Sequence, residues 1–196
     1  MTKEDIQAMN AEFNALPKPE QRKRIAKEVL LMLEHGSMVA DNGYGIITGG
    51  KRACYTVPDL QVAISDGYVC VGCAKAAIIA AKASVGDGIH MKDDFGYGSI
   101  SRAYAGRELG DDRLADIIET LYEGDVAFLG YKGETWRHQL NPVQWTAIRD
   151  FKNRLHELHS GRTQETMKAI MQVIFQNIVD NDGYLVIDGH KFGTDE

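Results

Sequence analysis

Residues Tyr68 to Val85, YVCVGCAKAAIIAAKASV, form the most apolar stretch of this 196-residue chain. Its two charged residues are Lys75 and Lys82, and Ala, Val and Ile make up most of the rest. A helix of this length has about five turns, which is short for a bilayer crossing. A helix that is apolar on nearly all sides is usually buried in the protein interior. We therefore predict that residues 68–85 form a central helix around which the other elements pack.

The rest of the chain predicts a mainly α fold (α+β) with six or seven helices. Apolar residues recur at helical spacing before and after the central stretch. Turn signals predict two hairpins, near 44–57 and 184–192, and we expect them to pair in a small antiparallel sheet. The length suits a single globular domain of residues 1–196, with 1–16 as a peripheral helix.

Capping residues predict where several of these helices begin. Ser, Thr, Asp and Asn are favoured at such positions because their side chains accept hydrogen bonds from free backbone N–H groups. The predicted caps are Ser65 or Asp66 for the central helix, Asp111 or Asp112, Asn141 before Pro142, and Thr163.

Composition excludes several classes of protein. With 44% hydrophobic and 26% charged residues, the chain falls in the ordinary globular range and not in a disordered or fibrous class. A net charge of −6 argues against general polyphosphate binding. Three cysteines are too few for a disulfide framework, and the N-terminal MTKEDIQAMN lacks the apolar core of a signal peptide. The expectation is an acidic, cytoplasmic, globular protein.

A basic cluster lies in the opening turns of the second predicted helix. Its members are Arg22, Lys23, Arg24 and Lys27. Cations at the start of a helix oppose its dipole, so the cluster is not placed for helix stability. A solvated helix face is the favoured interpretation, and a partner-binding patch that includes Arg22 and Arg24 is the alternative.

The segment from Gly45 to Arg52, GIITGGKR, matches the phosphate-binding loop pattern at every position but the last. That pattern ends in Ser or Thr, whose hydroxyl binds magnesium, and Arg52 has no hydroxyl. The residues after Lys51 also resemble a strand instead of the required helix. Nucleotide hydrolysis is therefore disfavoured. A basic hairpin tip, in which Lys51 and Arg52 contact a partner, is the alternative.

Cys70 and Cys73 form a Cys-x-x-Cys motif at the predicted start of the central helix. A helix N-terminus lowers the pKa of a thiol, as redox enzymes require. The two cysteines, with Cys54 as a third, could also bind zinc. However, a second Cys-x-x-Cys pair is missing, and the surrounding small residues suit close packing. A structural role is favoured, with redox and metal roles left open.

The glycine-rich loop 86–98 is the first place in which we would look for a ligand site. It carries carboxylates, an imidazole and a phenol: Asp87, His90, Asp93, Asp94 and Tyr97. Such groups bind cations or act as acids and bases. Their spacing is not diagnostic of any site, and a solvated loop remains the simpler interpretation.

Three segments together resemble an uncharacterised domain family of bacteria and phages. They are the helix RIAKEVLLMLEHG at residues 24–36, the Cys/Gly/Ala-rich helix, and Gly161-Arg-Thr163 at the start of the last helix. The family has a Cys-x-x-Gly-Ala segment, whereas the spacing from Cys70 to Gly72 is one residue shorter. The resemblance covers a minor part of the chain. It implies a phage or mobile-element origin and implies no activity.

These observations favour a non-enzymatic binding or accessory protein that engages another macromolecule, because each catalytic motif fails at a required position. The alternative is a small enzyme or ligand-binding protein that uses loop 86–98. A protein partner is expected, an oligomer is left open, and neither a membrane nor a nucleic acid is expected as a partner. No cofactor is predicted.

Overall fold

The predicted mainly α fold is confirmed by the computed structural model, which describes residues 3–41, 47–48, 51–52, 69–85, 109–124 and 140–194. The helices in these ranges are α1 Lys3–Ala15, α2 Lys18–His35, α3 Ala74–Val85, α4 Asp112–Glu123, α5 Pro142–Leu158 and α6 Gln164–Asp180. The strands are β1 Met38–Ala40, β2 Ile47–Thr48, β3 Lys51–Arg52, β4 Cys70–Gly72, β5 Leu185–Ile187 and β6 His190–Phe192.

Helix α3 is the buried centre of the described fold. Every residue from Ala74 to Ala81 is buried, and the helix contacts α1, α2 and α4. The predicted start of this helix is wrong, however, because residues 70–72 form strand β4 and the helix begins at Ala74. The predicted caps Ser65 and Asp66 therefore do not cap it, and they lie outside the described residues. Valine at 69 and 71 favours a strand, and the apolar character of the whole stretch hid this local preference.

Strand β4 pairs in parallel with β1, a pairing that the sequence analysis did not predict. Met38 lies opposite Cys70 and Ala40 opposite Gly72. Two further backbone hydrogen bonds extend the paired strands. Cys70 N–H donates to the Ser37 carbonyl over 2.8 Å, and Asp41 N–H donates to the Gly72 carbonyl over 3.0 Å. The carboxyl ends of both strands therefore meet at one edge, where Asp41 and Cys73 follow.

The other helix starts are confirmed by their capping hydrogen bonds. The Asp111 side chain accepts from Leu114 N–H over 2.9 Å, which caps α4. The Asn141 side chain accepts from the backbone N–H groups of residues 143 and 144, and Thr163 accepts from Thr166 N–H over 3.2 Å. Each cap satisfies N–H groups that have no partner inside their own helix.

Both predicted hairpins are present, but each forms a two-stranded sheet of its own among the described residues. The turn between β5 and β6 lies at Asp188-Gly189, where both φ angles are positive, as in the turns that suit short hairpins. Beside β5, the Asn177 side chain takes the hydrogen bonds that another strand would use. Its amide donates to the Val186 carbonyl and its oxygen accepts from Val186 N–H, both over 2.8 Å.

The basic cluster of α2 is not a free cationic surface. Arg22 is 1% exposed, so its assignment to a partner-binding patch is wrong. Its guanidinium donates to the Leu109 carbonyl over 2.9 Å and to the Gly193 carbonyl, which joins α2 to the segment before α4 and to the end of β6. Arg24 pairs with Glu12 over 3.0 Å at the surface.

Replacing Arg22 should therefore destabilise the fold far more than replacing Arg24. Arg22→Met keeps the apolar stem but leaves two buried carbonyls without their donor, and we expect the free energy of unfolding to fall by about 2–4 kcal/mol. Arg24→Met removes an exposed ion pair and should cost at most about 1 kcal/mol. Urea unfolding followed by circular dichroism measures both values. Equal losses in the two variants would contradict the structural role of Arg22.

Candidate functional site

Half of the twelve residues predicted from the sequence as site residues lie outside the described ranges. These are the five loop residues Asp87, His90, Asp93, Asp94 and Tyr97, together with Cys54. Lys51 and Arg52 form strand β3. The hypotheses built on these residues stay predictions.

The two cysteines of the Cys-x-x-Cys motif lie in different elements and are both buried. Cys70 belongs to β4 and Cys73 lies between β4 and α3, so the prediction that Cys70 lies at the start of the central helix is wrong. Burial raises the pKa of the Cys70 thiol to about 11. Burial, followed by the charge of Glu119, raises the pKa of the Cys73 thiol well above its usual value. Both thiols are thus protonated near neutral pH, which disfavours a reactive redox pair.

A buried cluster of three potential ligand groups surrounds the start of α3. The Cys73 sulfur and a carboxylate oxygen from each of Glu119 and Glu123 lie within 4.8 Å of one another. Cys73 directly precedes α3, whereas the two glutamates are one turn apart on α4. Cys73 and Glu119 are 0% and 3% exposed, and Glu123 is half-buried, so the cluster approaches solvent on the Glu123 side.

Hydrogen bonds between α3, α4 and β1 hold this cluster together. Lys75 N–H, in the first turn of α3, donates to Oε2 of Glu119 over 3.3 Å. The Lys75 ammonium is directed to Asp116 Oδ1, 2.6 Å away. About one turn after Glu119, the Tyr122 hydroxyl donates a hydrogen bond to the Asp41 carbonyl over 3.0 Å. This bond connects α4 to the carboxyl end of β1.

Glu119 is the most unusual group in the cluster. Its Oε1 is buried and has no hydrogen-bond partner within the part of the chain that the structure describes. Burial, followed by the charge of Glu123, raises the pKa of Glu119 to about 8, although the Lys75 ammonium acts in the opposite direction. In the ligand-free protein this carboxyl group is therefore mostly protonated at neutral pH.

The sequence analysis missed Glu119 and Glu123, although the sequence carries a signal for them. Like charges four residues apart on a helix repel each other. Acidic groups in the last turns of a helix also oppose its dipole. The same dipole argument singled out the cations of α2, and its application to α4 would have identified this acidic pair.

No family model, curated protein or solved structure matches the chain. The assignment of the site therefore rests on its geometry, and the resemblance to the phage and bacterial family stays a prediction. None of the helices that the structure describes combines the length and apolar character that a membrane crossing requires.

The raised pKa of Glu119 predicts that stability falls as pH rises. The folded chain keeps this proton up to about pH 8, whereas the unfolded chain releases it near the ordinary value of 4.5. Between these values the native state binds more protons than the unfolded state. Its stability should therefore fall as pH rises through this window, by at most the free energy of one proton, and level off above it.

Urea unfolding at several pH values between about 5 and 9, with a chelator present, measures this dependence. Glu119→Gln should flatten it, because the amide does not titrate. Glu157→Gln, which changes an exposed glutamate on α5, should leave it as in the parent. Identical pH profiles for the parent and Glu119→Gln would contradict the prediction.

Proposed function

We propose that the protein is a non-enzymatic binding protein, and that its ligand is a small cation held at the Cys73–Glu119–Glu123 cluster. One observation supports this proposal above all. Glu119 is buried beside a second carboxylate, and one of its oxygens has no donor among the described residues. An ionised carboxylate oxygen that is buried without a donor costs about 1–3 kcal/mol, and either a proton or a bound cation would remove that cost.

The charges around the cluster favour a cation over an anion or a neutral ligand. Two carboxylates and a thiol face one another, while the nearby Lys75 ammonium is engaged by Asp116. In the free protein a proton on Glu119 lowers the repulsion between the two carboxylates. A stronger cation would displace that proton, so its apparent affinity should rise with pH through the range in which Glu119 titrates.

Catalysis is the second candidate function, because a glutamic acid with a pKa near neutrality is what general acid–base catalysis uses. The pKa of about 8 for Glu119 favours this possibility. The low exposure of the cluster favours binding over catalysis, since Glu119 is 3% exposed and Cys73 is 0% exposed. Only a small ligand reaches such a position without rearrangement of α3 or α4. The thiols are protonated and supply no ready nucleophile.

Engagement of another macromolecule stays a prediction from the sequence. The most exposed large apolar side chains of the described residues are Leu158 at 78% and Val143 at 63%. They lie near opposite ends of α5, about 22 Å apart at 1.5 Å per residue. They do not form one patch, and single exposed apolar residues are common on proteins. The geometry therefore supports a small ligand better than a docking surface.

Titration calorimetry of the full chain with Zn²⁺, Mg²⁺, Ca²⁺ and methylammonium tests the proposal. We expect one of these cations to bind with 1:1 stoichiometry and with an affinity that rises between about pH 6 and pH 9. Glu119→Gln and Glu123→Gln should each weaken binding at least tenfold. Glu157→Gln, a matched change on α5, should leave it unchanged. The absence of binding by all four probes, or equal binding by all variants, would overturn the proposal.

A further inference from the structure

We infer that the cation is a thiophilic divalent metal ion of the zinc type, bound by Cys73 Sγ and by one carboxylate oxygen each from Glu119 and Glu123. This inference rests on the proposed function and names its ligand. It also replaces the metal site expected from Cys54, Cys70 and Cys73, because Cys70 does not belong to the cluster. The three donors come from two places in the fold, the residue between β4 and α3 and helix α4.

The spacing of the three donor atoms suits a metal ion of this size. Because no two of them lie more than 4.8 Å apart, a point exists within 4.8/√3, or about 2.8 Å, of all three. Zinc bonds of about 2.0–2.3 Å then require the donors to move inward by about 0.5–0.8 Å. Side-chain rotations of that size do not require α3 and α4 to separate.

The chemistry of the donor set favours zinc over the common hard cations. Mg²⁺ and Ca²⁺ take six or more oxygen ligands, and Mg²⁺ keeps most of its water. The cluster instead offers one sulfur and two carboxylates, a combination that zinc accepts. Three protein donors leave a fourth position for a water molecule, on the partly open Glu123 side.

The hydrogen bond to Glu119 supports a metal-binding role for this carboxylate. Lys75 N–H holds Oε2, while Oε1 has no donor among the described residues. Ligating carboxylates in metal sites are commonly held in this way by a second contact that fixes their orientation. The Lys75 backbone is thus a positioning group and Oε1 is the available donor.

The competing explanation is a proton shared by Glu119 and Glu123, with no metal involved. A shared proton needs only the two carboxylates, whereas the proposed metal site also needs the Cys73 sulfur. Substitution of Cys73 therefore distinguishes the two explanations. Metal binding breaks the S–H bond of Cys73 and the O–H bond of protonated Glu119, and both protons pass to the buffer. No electron is transferred.

Cobalt(II) substitution on the metal-stripped full chain tests the inference, because a Co²⁺–thiolate bond gives a charge-transfer band in the near ultraviolet. We expect this band at 1:1 stoichiometry, and its loss when Zn²⁺ is added. Cys73→Ser should abolish the band and weaken Zn²⁺ binding by more than the roughly 10- to 100-fold that a lost outer contact typically causes. Cys70→Ser, which changes a buried cysteine outside the cluster, is the matched control and should retain the band.

If Cys73→Ser does not fold, Glu123→Gln serves as the second variant, because this half-buried site tolerates the change more easily. It should keep the thiolate band but weaken Co²⁺ and Zn²⁺ binding at least tenfold. Full Zn²⁺ affinity in Glu123→Gln would overturn the proposed donor set.

The remaining outcomes distinguish this inference from the proposed function. A cation that requires Glu119 and Glu123 but gives no thiolate band overturns the zinc-type site and leaves the binding function intact. Loss of the band in Cys70→Ser or Cys54→Ser as well as in Cys73→Ser assigns the metal to the three cysteines and overturns the proposed donors. The absence of binding by every cation overturns both proposals.

Discussion

The described fold depends on how the buried start of α3 satisfies its backbone. The first four N–H groups of a helix have no partner within the helix, and here they lie in the protein interior. Glu119 of α4 accepts one of them, from Lys75. This contact places a carboxylate where water does not reach, and the same burial raises its pKa. The hydrogen bond from Lys75 to Glu119 therefore links three features of the fold. These are the position of α4, the protonation of Glu119 and the closeness of Glu119 to Cys73.

Local signals were enough to predict the outer helices, because their ends depend on neighbouring residues. Asp111, Asn141 and Thr163 each cap the helix that follows within a few positions. The start of α3 could not be predicted in this way. Residues 70–72 are compatible with both a helix and a strand, and their pairing with residues 38–40 decides the matter. That partner is distant in sequence, so no local pattern indicates it.

The site was predictable only in part for a related reason. The sequence identified Cys73 as chemically relevant but assigned it other cysteines as partners. The partners that the structure describes, Glu119 and Glu123, come from a helix more than 40 residues further along the chain. Proximity of this kind depends on how α3 packs on α4. Since the burial of α3 and the cap of α4 were predicted correctly, the missing information was the mutual orientation of the two helices.

Charges that oppose a helix dipole mark two buried positions in this chain, and the structure separates their roles. Arg22, near the start of α2, donates to the carbonyls of Leu109 and Gly193, so its burial is explained by contacts within the fold. Glu119, near the end of α4, has one oxygen held by Lys75 and one without a donor among the described residues. A buried charge whose hydrogen bonds join two distant segments of the chain, as those of Arg22 do, serves stability. A buried carboxylate that lies next to a second carboxylate and a thiol is the better candidate for binding a cation, and for this reason we propose the site at α4.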